Sequence, residues 1–166
     1  MIGYKAVRVA VLVSGFAILT PYANAAPHEW MPVTGGSIGQ GLPVAAGAAV
    51  GCPDRKVIAL EADGSGMYTL QALWTMARES LDVLTVILAN RSYRILDIEM
   101  QRTGANGFGA AAGKLIDIGN PDLNWVTLAA GMGIAATRAT SADEFAAQFR
   151  LAVREKGPRL IEAVIA

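Results

Sequence analysis

The sequence runs Lys56-Val57-Ile58-Ala59-Leu60-Glu61-Ala62-Asp63-Gly64-Ser65, an apolar segment that ends in an acidic residue and a glycine. A second apolar run, Val83 to Leu88, is followed in the same way by Ala89-Asn90-Arg91-Ser92-Tyr93. Continuous apolar runs with room for a helix between them are typical of parallel strands that are covered on both faces. The spacing therefore predicts an α/β fold, a three-layer parallel sheet flanked by helices, with both polar ends at one crevice.

The polar residues after these two runs suggest a site for a metal and a diphosphate. Asp63 and Asn90 lie 27 positions apart and offer hard oxygen ligands of the kind that Mg²⁺ prefers. Gly64 would let the backbone approach a phosphate, and Ser65 would add a donor at the start of a helix whose dipole favours anions. Taken singly, Asp63 or Asn90 could equally cap a helix or a turn. Together they predict a clamp for a metal diphosphate.

These two segments resemble the thiamine-diphosphate-dependent decarboxylases and synthases, and among them the acetolactate-synthase-like proteins. That family has Gly-Asp-Gly, then a helix and a strand, then Asn-Asn, whereas Ala62 and Ala89 replace the first residue of each motif here. The resemblance implies that Mg²⁺ is held by the Asp63 carboxylate, the Asn90 side chain and the main-chain carbonyl of Ser92. Neither replacement removes one of these ligands.

The resemblance extends from about Ser14 to the C-terminus and includes the glycine-rich run over residues 35–43. It implies that the Gly36 carbonyl accepts a hydrogen bond from the 4′-amino group of the cofactor and that Ile38 wedges between the two cofactor rings. A β-branched side chain is stiff at χ1 and suits that role. The residues that the resemblance places against thiamine diphosphate are Gly36, Ser37, Ile38, Asp63, Gly64, Ser65, Asn90, Ser92 and Tyr93.

The resemblance also implies an activity. Members of the family cleave or form the bond next to a 2-keto group, and their typical substrates are 2-keto acids such as pyruvate. They activate the cofactor with a glutamate on a separate pyrimidine-binding domain, and no segment of this chain resembles that domain. We therefore expect a fragment, a split subunit or a remnant that needs a pyrimidine-binding domain or a homo-oligomer partner. The alternatives are a cofactor-binding subunit without turnover and an exported α/β protein that binds another phosphate ligand.

Composition and charge agree with one globular α/β domain. The chain has 166 residues and 53% apolar content, enough for a single core that covers both faces of a sheet. The formal net charge is zero, so neither nucleic acid nor a membrane surface is predicted as a partner. The lone cysteine, Cys52, is predicted to be a small buried thiol.

The first thirty residues allow two interpretations. Lys5 and Arg8 precede an apolar stretch, and Ala23-Asn24-Ala25 looks like a cleavage site, which together indicate a secretory signal peptide and export. The same stretch resembles a truncated strand that leads into the glycine-rich run. The second interpretation is favoured, with a lead-in over residues 1–30, a diphosphate-binding domain over residues 31–166 and a cytoplasmic location. His28 is predicted to have a surface or packing role.

Two segments in the middle of the chain are assigned from their patterns. Apolar spacing over residues 70–81 predicts an amphipathic helix with Trp74 in the core. Residues 94–118 are polar and rich in Gly and Ala, and they predict either a loop that closes over a substrate or a solvated connection.

Three further elements are predicted from capping signals and apolar runs near the C-terminus. Asn120 as N-cap and Pro121 at the first helical position predict a helix to about residue 130. The capping box that begins at Ser141 predicts a helix to about residue 156. A strand over residues 159–165 is predicted to follow.

Overall fold

The computed structural model of the chain describes residues 10–13, 28–104 and 109–165, with only the backbone described for residues 10–13. Six strands form one sheet in the order β2-β1-β3-β4-β6-β5, and every neighbouring pair is parallel. The strands are β1 (Ala10–Val13), β2 (Glu29–Pro32), β3 (Val57–Ala62), β4 (Val83–Ala89), β5 (Ala135–Ala139) and β6 (Arg159–Val164). The predicted parallel sheet is confirmed.

The described residues also form seven α-helices. These are α1 (Gly41–Gly51), α2 (Asp63–Gly66), α3 (Ala72–Arg78), α4 (Arg94–Arg102), α5 (Ala110–Ile116), α6 (Trp125–Gly131) and α7 (Ala142–Ala152). A short 3-10 helix, Thr34–Gly36, precedes α1.

Helices cover both faces of the sheet. On one face, Leu42 of α1, Leu73 of α3 and Trp125 of α6 are completely buried against the sheet residues. On the other face, Phe145 and Phe149 of α7 pack against a second apolar cluster of strand residues. Because the inner strands are buried on both sides, their sequences are apolar without alternation, as the apolar runs in the sequence predict.

The strands β3 and β4 lie side by side in register, with Ala62 opposite Leu88. Their carboxyl ends therefore meet at one edge of the sheet. Asp63 follows β3 directly and Asn90 follows β4 directly, so the sheet brings the two predicted ligands to the same edge.

A buried ion pair between Lys56 and Asp82 lies at the amino ends of β3 and β4. Lys56 Nζ donates to the Asp82 carboxylate and to the Glu155 carbonyl, and Lys156 Nζ lies 3.0 Å from the other Asp82 oxygen. The side chains of Lys56 and Asp82 are only 6% and 10% exposed. Burial alone would raise the pKa of Asp82, but the hydrogen bonds from both lysines outweigh it and hold that pKa below its usual value.

The prediction that Trp74 lies in the core is wrong, because the residue is 51% exposed. The helix α3 begins only at Ala72, and its buried residues include Leu73 and Met76. Trp74 follows Leu73 by about 100° around the helix, which turns it away from the sheet. The Arg78 guanidinium instead lies 4.7 Å from the centre of its ring. Trp74 therefore belongs to the surface.

The helix predicted to begin at Asn120 starts later. Gly119 and Asp122 form an isolated antiparallel bridge around a cis Asn120–Pro121 peptide, so these residues make a turn. The helix α6 begins at Trp125, and its N-cap is Asn124, whose side chain accepts from Thr127 N at 2.9 Å. A second capping residue was therefore available four positions further along.

The predicted C-terminal elements are confirmed with shorter bounds. Ser141 caps α7 as expected and accepts from Glu144 N at 3.2 Å. The helix ends at Ala152, before the predicted residue 156, and a turn with Gly157 at φ +86° leads into β6. That strand ends at Val164.

The prediction of a loop over residues 94–118 is wrong, because α4 and α5 occupy most of it. Ion pairs one turn apart, Arg94–Asp97 and Arg102–Glu99, lie along α4. The alanines of α5 are strong helix formers that outweigh its glycine. Residues 105–108 between the two helices lie outside the described residues.

Two further predictions concern Cys52 and the apolar N-terminal stretch. Cys52 is exposed, because it follows the last residue of α1 at the surface, and the prediction of a buried thiol is wrong. Within the apolar N-terminal stretch, residues 10–13 form β1 between β2 and β3. The rest of that stretch and the predicted cleavage site lie outside the described residues.

Candidate functional site

The site begins where β3 turns directly into α2. Ala62 is still extended at φ −78° and ψ 150°, and Asp63 is the first residue of the helical turn. The Asp63 side chain is buried, with a relative exposure of 2%. A buried carboxylate at a strand end needs hydrogen-bond donors, since leaving the charge unpaired is costly.

Backbone amides supply those donors. Asp63 Oδ1 accepts from Gly64 N at 2.8 Å, and Asp63 Oδ2 accepts from Arg91 N at 2.6 Å. Burial raises the pKa of the Asp63 carboxyl above its usual value, and the hydrogen bonds from the backbone offset this only in part. A bound cation would favour the charged carboxylate.

Asn90 occupies the same turn. Its Oδ1 accepts from Ser92 N at 3.0 Å, while the preceding amide, that of Arg91, binds Asp63. Two consecutive backbone N–H groups therefore hold the Asp63 and Asn90 oxygens at one place. The structure brings these two predicted ligands together with Ser92, whose carbonyl is the third predicted metal ligand.

Arg91 has a left-handed backbone at φ +59°, which is uncommon for a residue other than glycine. Its carbonyl accepts from Ile118 N at 3.0 Å, and its Nε lies 2.8 Å from Asp122 Oδ1. Residues 116–122 thus hold the turn that carries Asn90. Sequence reasoning missed this contribution, because the pattern of residues 94–118 gave no sign that the chain returns to the site.

Tyr93 packs directly on Gly64. A Cβ atom at Gly64 would lie 2.6 Å from Tyr93 Cδ1 and 3.6 Å from Ile118 Cδ1. The sequence analysis explains Gly64 by the close approach of a phosphate to the backbone. The structure adds a second reason, since the Tyr93 ring covers its Cα. Tyr93 N donates to Ile116 O at 2.8 Å, which holds the backbone of Tyr93 at this turn.

Ser65 is turned inward. Its hydroxyl donates to Glu61 Oε1 and lies 3.2 Å from the Ala62 carbonyl, and the residue is only 7% exposed. The prediction that Ser65 lies at the start of a dipolar helix is weakened, because α2 is a single turn of four residues. So few aligned peptide groups produce little of the macrodipole on which the prediction rests.

The glycine-rich run passes beside the same edge. Gly36 has φ +69°, and a Cβ atom there would meet nothing within 4 Å. Ser37 is exposed and Ile38 is 51% exposed, so both are accessible to a ligand. The run is anchored further along, where Thr69 Oγ1 donates to the Gly39 carbonyl at 2.6 Å.

The donor set fits Mg²⁺. It consists of one buried carboxylate, one amide oxygen and a main-chain carbonyl, all hard oxygen ligands, and Mg²⁺ usually fills its remaining positions with water and phosphate oxygens. Among the residues that the structure describes, no group of three or more His, Cys, Asp or Glu could hold a metal. No helix in the described ranges is long and apolar enough to span a membrane.

Comparison with known proteins gives the family. Residues 15–163 match the family described as "Thiamine pyrophosphate enzyme, C-terminal TPP binding domain". The chain is 52% identical over 151 residues to the Mycobacterium tuberculosis protein IlvX, whose name assigns it to the acetolactate synthase large subunits. That match covers 89% of this chain and 29% of the relative. The large subunit of acetolactate synthase isozyme 1 from Escherichia coli is 30% identical, over 84% of this chain and 24% of its own.

Solved structures agree on the fold. The thiamine diphosphate-dependent 4-hydroxybenzoylformate decarboxylase of Rhodococcus jostii RHA1 is 32% identical with a TM-score of 0.73, over 83% of this chain and 25% of that one. Benzoylformate decarboxylase from Polynucleobacter necessarius, at 22% identity, has the same fold with a TM-score of 0.80, over 99% of this chain and 31% of its own. The chain spans less than a third of the length of these relatives. It belongs to the thiamine pyrophosphate enzyme family, whose C-terminal TPP-binding domain it matches.

Proposed function

We propose that this chain binds thiamine diphosphate together with Mg²⁺ at the carboxyl ends of β3 and β4. The observation that supports this most directly is the buried Asp63 carboxylate, joined through Arg91 N to the turn that carries Asn90. In this proposal Asp63, Asn90 and the Ser92 carbonyl hold the metal. The diphosphate would bind beside them.

The glycine-rich run would receive the rings of the cofactor. The Gly36 carbonyl would accept from the aminopyrimidine, and Ile38 would pack between the rings. Both positions are open in the structure, since Ile38 is half exposed and the Cα of Gly36 faces open space. Ser37 and Tyr93 would complete the surface against the cofactor.

When bound, thiamine diphosphate supplies a thiazolium carbanion and an electron sink for cleaving or forming the bond next to a 2-keto group. The residues of this chain would bind and orient it. The names of the relatives, acetolactate synthase and 4-hydroxybenzoylformate decarboxylase, support a small 2-keto acid as the substrate class. We further propose that turnover needs a pyrimidine-binding domain with its glutamate, supplied by a partner.

The test is calorimetric titration of the full chain with thiamine diphosphate, with Mg²⁺ and with a chelator. We expect binding only with Mg²⁺, and no measurable binding by Asp63→Ala, because the metal bridges the protein to the diphosphate. Asp54→Ala is the matched control, since Asp54 is an exposed aspartate on the amino side of β3. Unchanged affinity in Asp63→Ala would refute the assignment of the site.

A further inference from the structure

Glu61 is a buried carboxylate that the proposed ligand set does not use. It is 1% exposed and lies two residues before Asp63. It sits opposite Ile87 of β4, a residue of the apolar cluster beneath α1, α3 and α6. A buried charge is costly, and an apolar side chain of similar size is often more stabilising at such a position. The carboxylate therefore calls for a reason other than packing.

The contacts of Glu61 join two parts of the proposed site. A Cβ atom built on Gly41 would lie 1.8 Å from Glu61 Oε2, so the carboxylate lies directly against the first residue of α1. Its other oxygen, Oε1, accepts from the Ser65 hydroxyl. Gly41 is the last glycine of the glycine-rich run, and Ser65 belongs to the turn that begins at Asp63. One side chain thus contacts both segments.

A second set of contacts supports the same connection. A Cβ atom at Gly39 would lie 2.6 Å from Tyr68 Cβ and 3.3 Å from the Ser65 carbonyl, and Thr69 holds the Gly39 carbonyl. The glycine-rich run therefore packs closely on the chain that follows Asp63. Glu61 lies at the base of this contact, beside Gly41.

We propose that Glu61 is a positioning residue that sets the distance between the glycine-rich run and the Asp63 turn. This inference rests on the proposed function. Thiamine diphosphate is long enough to need both segments, one for its rings and one for its diphosphate. Inorganic diphosphate with Mg²⁺ would need only the Asp63 turn. Loss of Glu61 should therefore weaken the larger ligand and leave the smaller one nearly unaffected.

The chain provides a matched control in Glu162. It is 3% exposed and lies opposite Ile87 from the other side, so Glu61, Ile87 and Glu162 form one row across three strands. Its Oε2 lies 3.0 Å from Arg138 Nε and has no part in the contact between the glycine-rich run and the Asp63 turn. Glu162→Gln removes a buried carboxylate from the same face without touching either segment.

The experiment titrates the full chain with Mg²⁺ and thiamine diphosphate, and separately with Mg²⁺ and inorganic diphosphate. For Glu61→Gln we expect about tenfold to hundredfold weaker binding of thiamine diphosphate, because the contacts that the glycine-rich run makes with the cofactor rings are misplaced while the metal ligands stay where they are. Its affinity for inorganic diphosphate should stay within about twofold of wild type, and Glu162→Gln should leave both affinities within about twofold. Thermal melts show which variants are folded.

Gly41→Ala provides an independent perturbation if Glu61→Gln does not fold. The added Cβ cannot coexist with the present position of Glu61 Oε2, so it should reproduce the selective loss of thiamine diphosphate binding. Gly47→Ala is its control, because a Cβ at Gly47 in the same helix meets nothing within 4 Å. The effects of Glu61→Gln and Gly41→Ala should be less than additive, since both act on one contact.

Each outcome bears on a different conclusion. Selective loss in Glu61→Gln and Gly41→Ala, but not in the controls, supports the positioning role. Parallel loss of both ligands, an equal loss in Glu162→Gln, or wild-type affinity in the folded Glu61→Gln or Gly41→Ala variant overturns it. If the wild-type chain binds neither ligand with Mg²⁺, the proposed function itself fails, and this inference fails with it.

Discussion

Replacement of Gly64 by alanine tests whether Tyr93 and the Asp63 turn are packed as the structure shows. The new Cβ would lie 2.6 Å and 2.7 Å from two ring carbons of Tyr93, closer than real side chains approach. The backbone of Gly64 is helical and suits alanine, so the cost arises from the tyrosine ring. Either the ring or the turn must move.

The size of the effect follows from two opposing terms. Overpacking at a well-packed contact costs about 1–3 kcal/mol. Replacing glycine by alanine in a helical turn returns about 0.5–1 kcal/mol. The two terms combine to a net loss of about 0–2.5 kcal/mol, with its centre near about 1 kcal/mol, and a loss of about 1 kcal/mol lowers the melting temperature of a chain of this length by roughly 2–4 °C.

The assay is a thermal melt of Gly64→Ala in the wild-type and Tyr93→Ala backgrounds. Without the ring the clash disappears, so the same substitution should be neutral or should raise the melting temperature by up to about 4 °C. Gly113→Ala is the control, because a Cβ there meets nothing within 4 Å. Equal destabilisation by Gly64→Ala in both backgrounds would refute the packing of Tyr93 on Gly64.

Other predictions address the ion pair, the surface and the chemistry. Asp82→Asn should cost about 3 kcal/mol of stability at neutral pH, because Lys56 stays buried without its partner. Since the folded pKa of Asp82 is lowered, the stability difference between wild type and variant should disappear as pH falls below about 4. Thermal melts across pH measure this, and a difference that stays constant would contradict it. Trp74→Ala should cost at most about 1 kcal/mol of stability, because it removes only the cation–π contact with Arg78. Leu73→Ala should cost about 2–5 kcal/mol, because Leu73 is completely buried. Urea denaturation measures both, and a larger loss for Trp74→Ala would mean that Trp74 is in the core. In a coupled assay the chain alone should not decarboxylate pyruvate faster than free cofactor does. A positioned proton-transfer group contributes about 10² to 10⁴-fold to the rate, and the resemblance implies that this group lies on a pyrimidine-binding domain. Turnover without that domain would contradict this prediction.

The sequence predicts what depends on neighbours along the chain. The strands β3 and β4 are visible as apolar runs, and parallel pairing then determines that Asp63 and Asn90 meet at one edge. The cap at Ser141 is equally local. These features need no knowledge of how distant segments pack.

The remaining features depend on such packing. The outward position of Trp74 follows from where α3 starts on the sheet, and the left-handed Arg91 follows from residues 116–122 returning to the site. The inward turn of Ser65 depends on Glu61, which reads in the sequence as an ordinary strand end. None of these contacts leaves a periodic pattern of apolar residues in the sequence.

The interior position of β1 bears on the two interpretations of the N-terminal stretch. Its backbone pairs with β2 on one side and with β3 on the other. Proteolytic removal of residues 1–25 would therefore take a strand from inside the sheet, separate β2 from β3 by about 10 Å and leave unpaired the hydrogen-bonding groups of β3 on the edge that faces β1, while its other edge stays paired with β4. An unpaired edge of that kind promotes aggregation. Secretion with cleavage at Ala25 and the six-stranded sheet are thus mutually exclusive fates for one molecule.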